Sequence, residues 1–143
     1  MKKTLLFLLM TIFCFSCKCK KNVSEPVVSN LTAQNINRKW MLVKYKSYPK
    51  DILIEKKAFL DLTNREAASS DMGCNSLSFT YTVVGNAITF DHPVSTRMYC
   101  EGITLEKDFT NDLLKITNIV VEGHKMTLNG DNEKMEFIAE DWD

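Results

Sequence analysis

Between Ser76 and Phe90 the chain alternates so regularly that little other than a β-hairpin accommodates it. Leu77, Phe79, Tyr81 and Val83 take every second position, with Ser76, Ser78, Thr80 and Thr82 between them. A period of two places the first set on one face of a strand and the second on the other. Gly85-Asn86 follows, and Ala87-Ile88-Thr89-Phe90 then alternates again. A two-residue connection containing Gly supplies the positive φ that a tight hairpin turn needs. Such a hairpin has one apolar face to bury, so the rest of the chain must cover it.

Most of the remaining segments are of the same kind. Trp40–Tyr45 is rich in strand formers, and Ala58–Thr63 alternates. Ile119–Glu122 and Lys125–Leu128 flank Gly123-His124 as a second hairpin. Asn129-Gly130-Asp131-Asn132 then turns the chain into Lys134–Ala139, with Met135, Phe137 and Ala139 on one face. The period changes only over Ile103–Thr117, where Leu105, Phe109, Leu113 and Ile116 recur at three- or four-residue spacing. That stripe predicts an amphipathic helix, with Thr104 as its cap and Glu106 and Asp108 near its positive end. Seven short strands and one helix predict a mainly β fold: a small antiparallel barrel or strongly curved sheet packed on a single α-helix.

The N-terminus has a different character. Met1-Lys2-Lys3 is a short basic stretch, and Leu5–Phe15 is almost unbroken apolar sequence that ends before Lys18, Lys20 and Lys21. A membrane-spanning helix needs about 20 apolar residues, so this run reads as the core of an export signal over residues 1–16. Ser16-Cys17 resembles the end of a lipobox, in which a small residue precedes the Cys that is acylated with palmitate-type chains after cleavage. Cys14 and Phe15 stand where Leu and a small residue are usual. Residues 17–37, the lipidated N-terminus and a polar stretch without strong periodicity, are expected to form a tether with a reach on the order of 25 Å. The domain proper is expected over 38–143. Lys18 directly follows Cys17, and Asp there is the familiar inner-membrane retention signal. Its absence favours an outer-membrane address facing the periplasm.

Removing residues 1–16 takes Lys2 and Lys3 with it and leaves 16 basic against 18 acidic residues. A near-neutral body gives no electrostatic reason to expect nucleic acid as a partner. The expected partners are the membrane, through the lipid anchor, and an envelope protein or hydrophobic ligand. The domain is expected to be a monomer. Of five cysteines, Cys14 leaves with the leader, Cys17 is acylated and Cys19 lies in the tether. Cys74 and Cys100 remain, and an oxidising compartment favours a disulfide between them, the alternative being two buried thiols.

Gly73-Cys74-Asn75, the hairpin Tyr81–Asn86 and Ser95-Thr96-Arg97-Met98-Tyr99-Cys100 together resemble the META/HslJ-like domain family. The helix with Glu106 and Phe109, the closing Val121–Leu128 and the opening Trp40 follow in that family's order. Tyr99 replaces the small residue common before the second Cys, and Leu77–Thr80 lacks a glycine often found there. The resemblance implies a lipocalin-like β-barrel with one helix, frequently set in a bacterial envelope lipoprotein. In some members it is linked to heat-shock induction and antibiotic tolerance. The fold is similar to that of secretin pilot lipoproteins, and neither an enzymatic activity nor a cofactor is implied.

Little in the sequence points to chemistry. Cys74, Cys100, His92 and His124 are acceptable zinc ligands, but no two lie at close ligand spacing, so no metal is expected. No catalytic constellation stands out. Asp61, Glu66 and Asp71 suggest no acid–base pair, and there is neither a phosphate loop nor a nucleophile elbow. Asn75, Thr96 and Arg97 are the polar residues of the resemblance motif. They can be read as a ligand site, with His92 beside them in an enzyme. The competing reading is that Asn75 bonds turn backbone and Arg97 satisfies carbonyls or a carboxylate. The expected function is therefore a non-catalytic, stress-related binding or protective lipoprotein. A pilot-like chaperone for an outer-membrane protein and an uncharacterised enzyme near Asn75 and Arg97 are the alternatives.

Overall fold

A computed structural model describes residues 33–142. The export signal, Cys17 and most of the expected tether lie outside them. Eight antiparallel strands close into a barrel in sequence order. They are β1 (Lys39–Tyr45), β2 (Phe59–Asp61), β3 (Ala68–Asp71), β4 (Ser76–Val84), β5 (Ala87–Ser95), β6 (Ile116–Glu122), β7 (Lys125–Gly130) and β8 (Lys134–Ala139). Helix α1 (Ala33–Ile36) precedes β1, α2 (Lys50–Glu55) follows it, and α3 (Thr104–Leu113) lies between β5 and β6. None of these helices is long and apolar enough to cross a membrane.

Alternation explains the barrel. Leu77, Phe79 and Tyr81 of β4, Ile88 and Phe90 of β5, Met126 and Leu128 of β7, and Met135, Phe137 and Ala139 of β8 are all buried in one cluster. Inward positions from every strand fill the interior, as is usual for barrels of about eight strands. Trp40 is fully buried, and its indole N–H donates to the Ile36 carbonyl at 2.9 Å. Ile36, in the stretch expected as tether, is itself in the core. Both two-residue hairpins form as expected: Val84 pairs with Ala87 across Gly85, whose φ is +59°, and Glu122 pairs with Lys125.

Besides α1, which lies in the stretch expected as tether, four elements differ from the sequence reading. β3 was not expected, because Ala68-Ser69-Ser70-Asp71 buries only small side chains and shows no apolar alternation. β5 runs on past Phe90 to Ser95 through a bulge, where Ser78 pairs with Val94 and Thr80 with Asp91. His92 sits at that bulge with φ +55°. Pro93 beside it lacks an N–H, so this stretch is a poor template for adding another strand. Helix α2 has a single buried residue, Leu53, and is too short to show a period. Helix α3 stops at Leu113, and Ile116 opens β6. The residue before α3 is Ile103, and no side chain caps it, so Thr104 is the first helical residue and not the cap.

Antiparallel order puts α2, α3 and the β5–α3 connection at one end of the barrel. The opposite end carries α1, the three short turns after β2, β4 and β6, and the C-terminus.

Candidate functional site

The helix-bearing end gathers the polar side chains that remain after the core is built, in two neighbourhoods. The first holds the motif residues. Asp71 Oδ1 accepts the Gly73 N–H at 2.6 Å, turning the chain out of β3. Gly73 has φ +95°, and a Cβ there would lie 2.9 Å from Cβ and Cγ of Lys56, so both conformation and space demand glycine. Cys74 is joined to Cys100, 26 residues later.

Asn75 is buried at the start of β4, and its amide holds the strap formed by residues 96–100. Its Oδ1 accepts from Met98 N–H at 2.7 Å and from Thr96 Oγ1 at 3.0 Å, while Nδ2 donates to the Met98 carbonyl at 3.4 Å. Thr96 Oγ1 also accepts the Ser76 N–H at 3.2 Å. The Asn75 N–H donates to Glu106 Oε2 at 2.8 Å, tying the strap's anchor to the first turn of α3. Asn75 and Thr96 are thus brought together, with their hydrogen-bonding capacity spent on the strap.

Arg97 is exposed and, among the described residues, forms no ion pair or side-chain hydrogen bond. It satisfies neither a carbonyl nor a carboxylate, contrary to the alternative expected for it. His92 stands exposed at the bulge. Asn75 has no free side-chain donor or acceptor to offer a substrate beside Arg97 and His92. His124 stacks on Trp142 at 5.3 Å and meets Arg38 Nη1 at 3.3 Å. No group of three His, Cys, Asp or Glu side chains among the described residues is disposed to hold a metal ion.

The second neighbourhood was not anticipated. Asp112 lies on the buried face of α3 with Leu105, Phe109 and Leu113, and is 3% exposed. Its Oδ2 accepts from Tyr45 Oη at 2.6 Å and faces Lys46 Nζ at 2.7 Å, and its Oδ1 faces Lys115 Nζ at 2.8 Å. Tyr48 Oη donates to Asp108 Oδ2 at 2.8 Å, and the rings of Tyr45 and Tyr48 stack 5.7 Å apart. Burial pushes the Asp112 carboxyl up, but hydrogen bonds from Lys115, Lys46 and Tyr45 outweigh it and hold the group at about 2. Burial pushes the Tyr45 phenol far above its ordinary range, with the Asp112 hydrogen bond adding to it, and pushes Tyr48 up to about 12. A carboxylate held ionised beside phenols held protonated has no proton to exchange near neutrality. The cluster fastens α3 to the end of β1. The sequence did carry its signal: Asp112 falls three residues after Phe109 and seven after Leu105, on the apolar stripe.

Beside this cluster, a groove of about 250 Å³ is lined by Lys44, Lys46, Asn132, Glu133, Lys134 and Glu136. Glu136 pairs with Lys134 at 2.8 Å and Lys44 at 3.6 Å, and Lys115 reaches Glu133 at 3.4 Å. The lysines are matched by carboxylates, so the groove exerts little net field on a charged ligand. A second concavity of about 170 Å³ lies along β1, β7 and β8, between Val43, Thr127 and Ile138.

A closed eight-stranded antiparallel barrel, with a helix pinned across one end and a disulfide-bound strap beside it, defines a small β-barrel module with a filled interior. The sequence matches the META domain family over residues 30–142, and the chain belongs to that family. No curated protein matches it. Among solved structures it is similar to a protein from Burkholderia xenovorans studied by NMR, at 22% identity and a TM-score of 0.64, covering 86% of this chain and 99% of that one. It is also similar to a DUF4847-family protein from Bacteroides vulgatus, at 8% identity and a TM-score of 0.54, covering 76% of this chain and 96% of that one. These likenesses bear on the fold alone.

Proposed function

We propose that this chain is a non-catalytic envelope lipoprotein, anchored by acyl chains on Cys17 and acting through its surface as a stress-related binding or protective module. One observation carries the surface reading. The barrel interior is packed with Trp40, Leu42, Leu60, Ile119, Met126 and Phe137, each 2% exposed or less, and with their buried neighbours. A barrel that carries a ligand needs an open cavity in place of such a core. The non-catalytic part is supported by the commitments of Asn75 and Asp112, which leave no nucleophile–base pair among the motif residues. The anchor rests on the apolar run before Ser16-Cys17. The pilot-like alternative needs a partner segment in a groove between helix and sheet.

Cys17→Ser tests the anchor. Membrane association is expected to be lost on fractionation, together with the mass increment of acyl chains at the N-terminus; unchanged association would discard it. For the surface reading, affinity capture with the wild-type chain is expected to recover an envelope protein. Recovery of neither protein nor lipid would count against a binding role.

A further inference from the structure

The strap between β5 and α3 combines exposure with rigidity. Tyr99 is 94% exposed and Met98 61%, among the most exposed large apolar side chains in the described fold. A free loop with such side chains would fold back on itself. This one is held out by three Asn75 side-chain bonds to Thr96 and Met98 and by the Cys74–Cys100 disulfide one residue beyond Tyr99. An aromatic and an arginine on preordered backbone are what the centre of a protein contact uses, because little side-chain or loop entropy remains to be lost on binding.

The charges on the strap indicate what meets it. Arg97 and Glu101 stand two residues either side of Tyr99, both exposed, and neither has an ion-pair or side-chain hydrogen-bond partner in the described chain. Two opposite charges spaced equally in sequence about an exposed tyrosine form a self-complementary pattern. Two straps laid antiparallel about a two-fold axis at Tyr99 set Arg97 of each copy against Glu101 of the other, with Tyr99 against Tyr99 at the centre. The described N-terminal residues enter at the opposite end of the barrel, so they do not cover the strap.

We infer that the strap is a homotypic contact, and that two copies of this chain associate through it in an isologous dimer. The contact is small. A stable interface buries about 800 Å² on each partner, more than a strap of this size offers, so association is weak and grows with concentration. It is separate from the lipid anchor and stands whether or not that anchor exists.

Sedimentation velocity of the purified chain, in non-reducing buffer from micromolar to millimolar concentration, tests it. The wild type is expected to shift from monomer to dimer across that range. R97E and E101R each set like charges across the axis and are expected to weaken self-association about tenfold or more. An equimolar mixture of the two variants restores both pairs in a heterodimer and is expected to associate as the wild type does. Both positions are exposed, and circular dichroism verifies that the variants remain folded. A wild type that stays monomeric overturns the inference, including one that binds vesicles or a foreign protein through Tyr99 as a monomer. So do variants that self-associate unchanged, or a mixture no stronger than its components.

Discussion

At Asp112, two lysines and a phenol are needed to keep one carboxylate ionised inside an apolar face. The group sits at about 2 against an ordinary value of 3.8. Its contribution to stability is therefore complete above about pH 4 and lost as pH falls toward 2, amounting to about 2 kcal/mol. Tyr45 and Tyr48 act in the opposite limb. Their protonated forms are favoured by the fold, so stability declines as pH rises above about 10, where the unfolded phenols ionise. Urea titrations across pH are expected to show both limbs. Asp112→Asn should flatten the acid limb and cost about 2 kcal/mol at neutral pH, since Tyr45 and both lysines lose their charged acceptor. Asn75→Ala removes the partner of the Met98 N–H and carbonyl. We expect a loss of about 1–3 kcal/mol in denaturant unfolding, with faster amide exchange confined to the strap. Asn75 was recognisable in the sequence as a motif residue, and its structural role was the competing reading there. Asp112 was legible only as a carboxylate at a position the helical period reserves for apolar residues, a conflict that marks a buried partner.

Elements with strong periodicity were legible, and those without were not. β4, β7 and β8 alternate apolar and polar side chains and form where the pattern places them. β3 is a strand because β2 and β4 supply partners on both sides, a tertiary cause that its four small residues do not advertise. The run of β5 past His92 and Pro93 depends on the bulge, since without it the proline would interrupt the ladder to β4. Helix α3 ends early because Ile116, in phase with the helical stripe, is claimed by β6 and pairs with Gly130. The strap has no regular structure, and the covalent link is its main constraint. Cys74→Ser combined with Cys100→Ser is expected to lower stability by about 3 kcal/mol, from a loop closed over 26 residues. Thermal unfolding of that double variant, compared with the wild type in the same oxidising buffer, measures it. A difference below about 1 kcal/mol would place the holding force with Asn75 instead.

The barrel as a whole is not uniformly closed. Seven register pairs join β4 to β5 and six join β6 to β7, whereas β5 and β6 share the single pair Ala87–Asn118, supported by the Ile119 N–H bonded to the Asn86 carbonyl at 2.8 Å. The cause is topological. Its other strands consecutive in sequence are linked by short turns or by the α2 loop, but β5 reaches β6 only after the strap, the disulfide and α3. Those elements fill the end of the barrel and carry the start of β6 away from the exposed half of β5. Tyr81 directs its N–H to the Arg65 carbonyl, away from β5. Tyr81 and Phe90 are therefore a non-hydrogen-bonded pair, and the Phe90 N–H faces the seam beyond the last β5–β6 partner. Its neighbour Thr89 faces the other way, to Thr82 of β4. Native-state hydrogen exchange should resolve the two. The Thr89 amide is expected to exchange near the rate set by global unfolding, and the Phe90 amide at least about tenfold faster, through local opening of the seam. The Leu42 amide, bonded to the Ala58 carbonyl at 2.9 Å, should follow Thr89. Equal protection at Thr89 and Phe90 would mean that the barrel opens only as a unit, with α3 and its Asp112 fastening closing the seam as firmly as a full ladder.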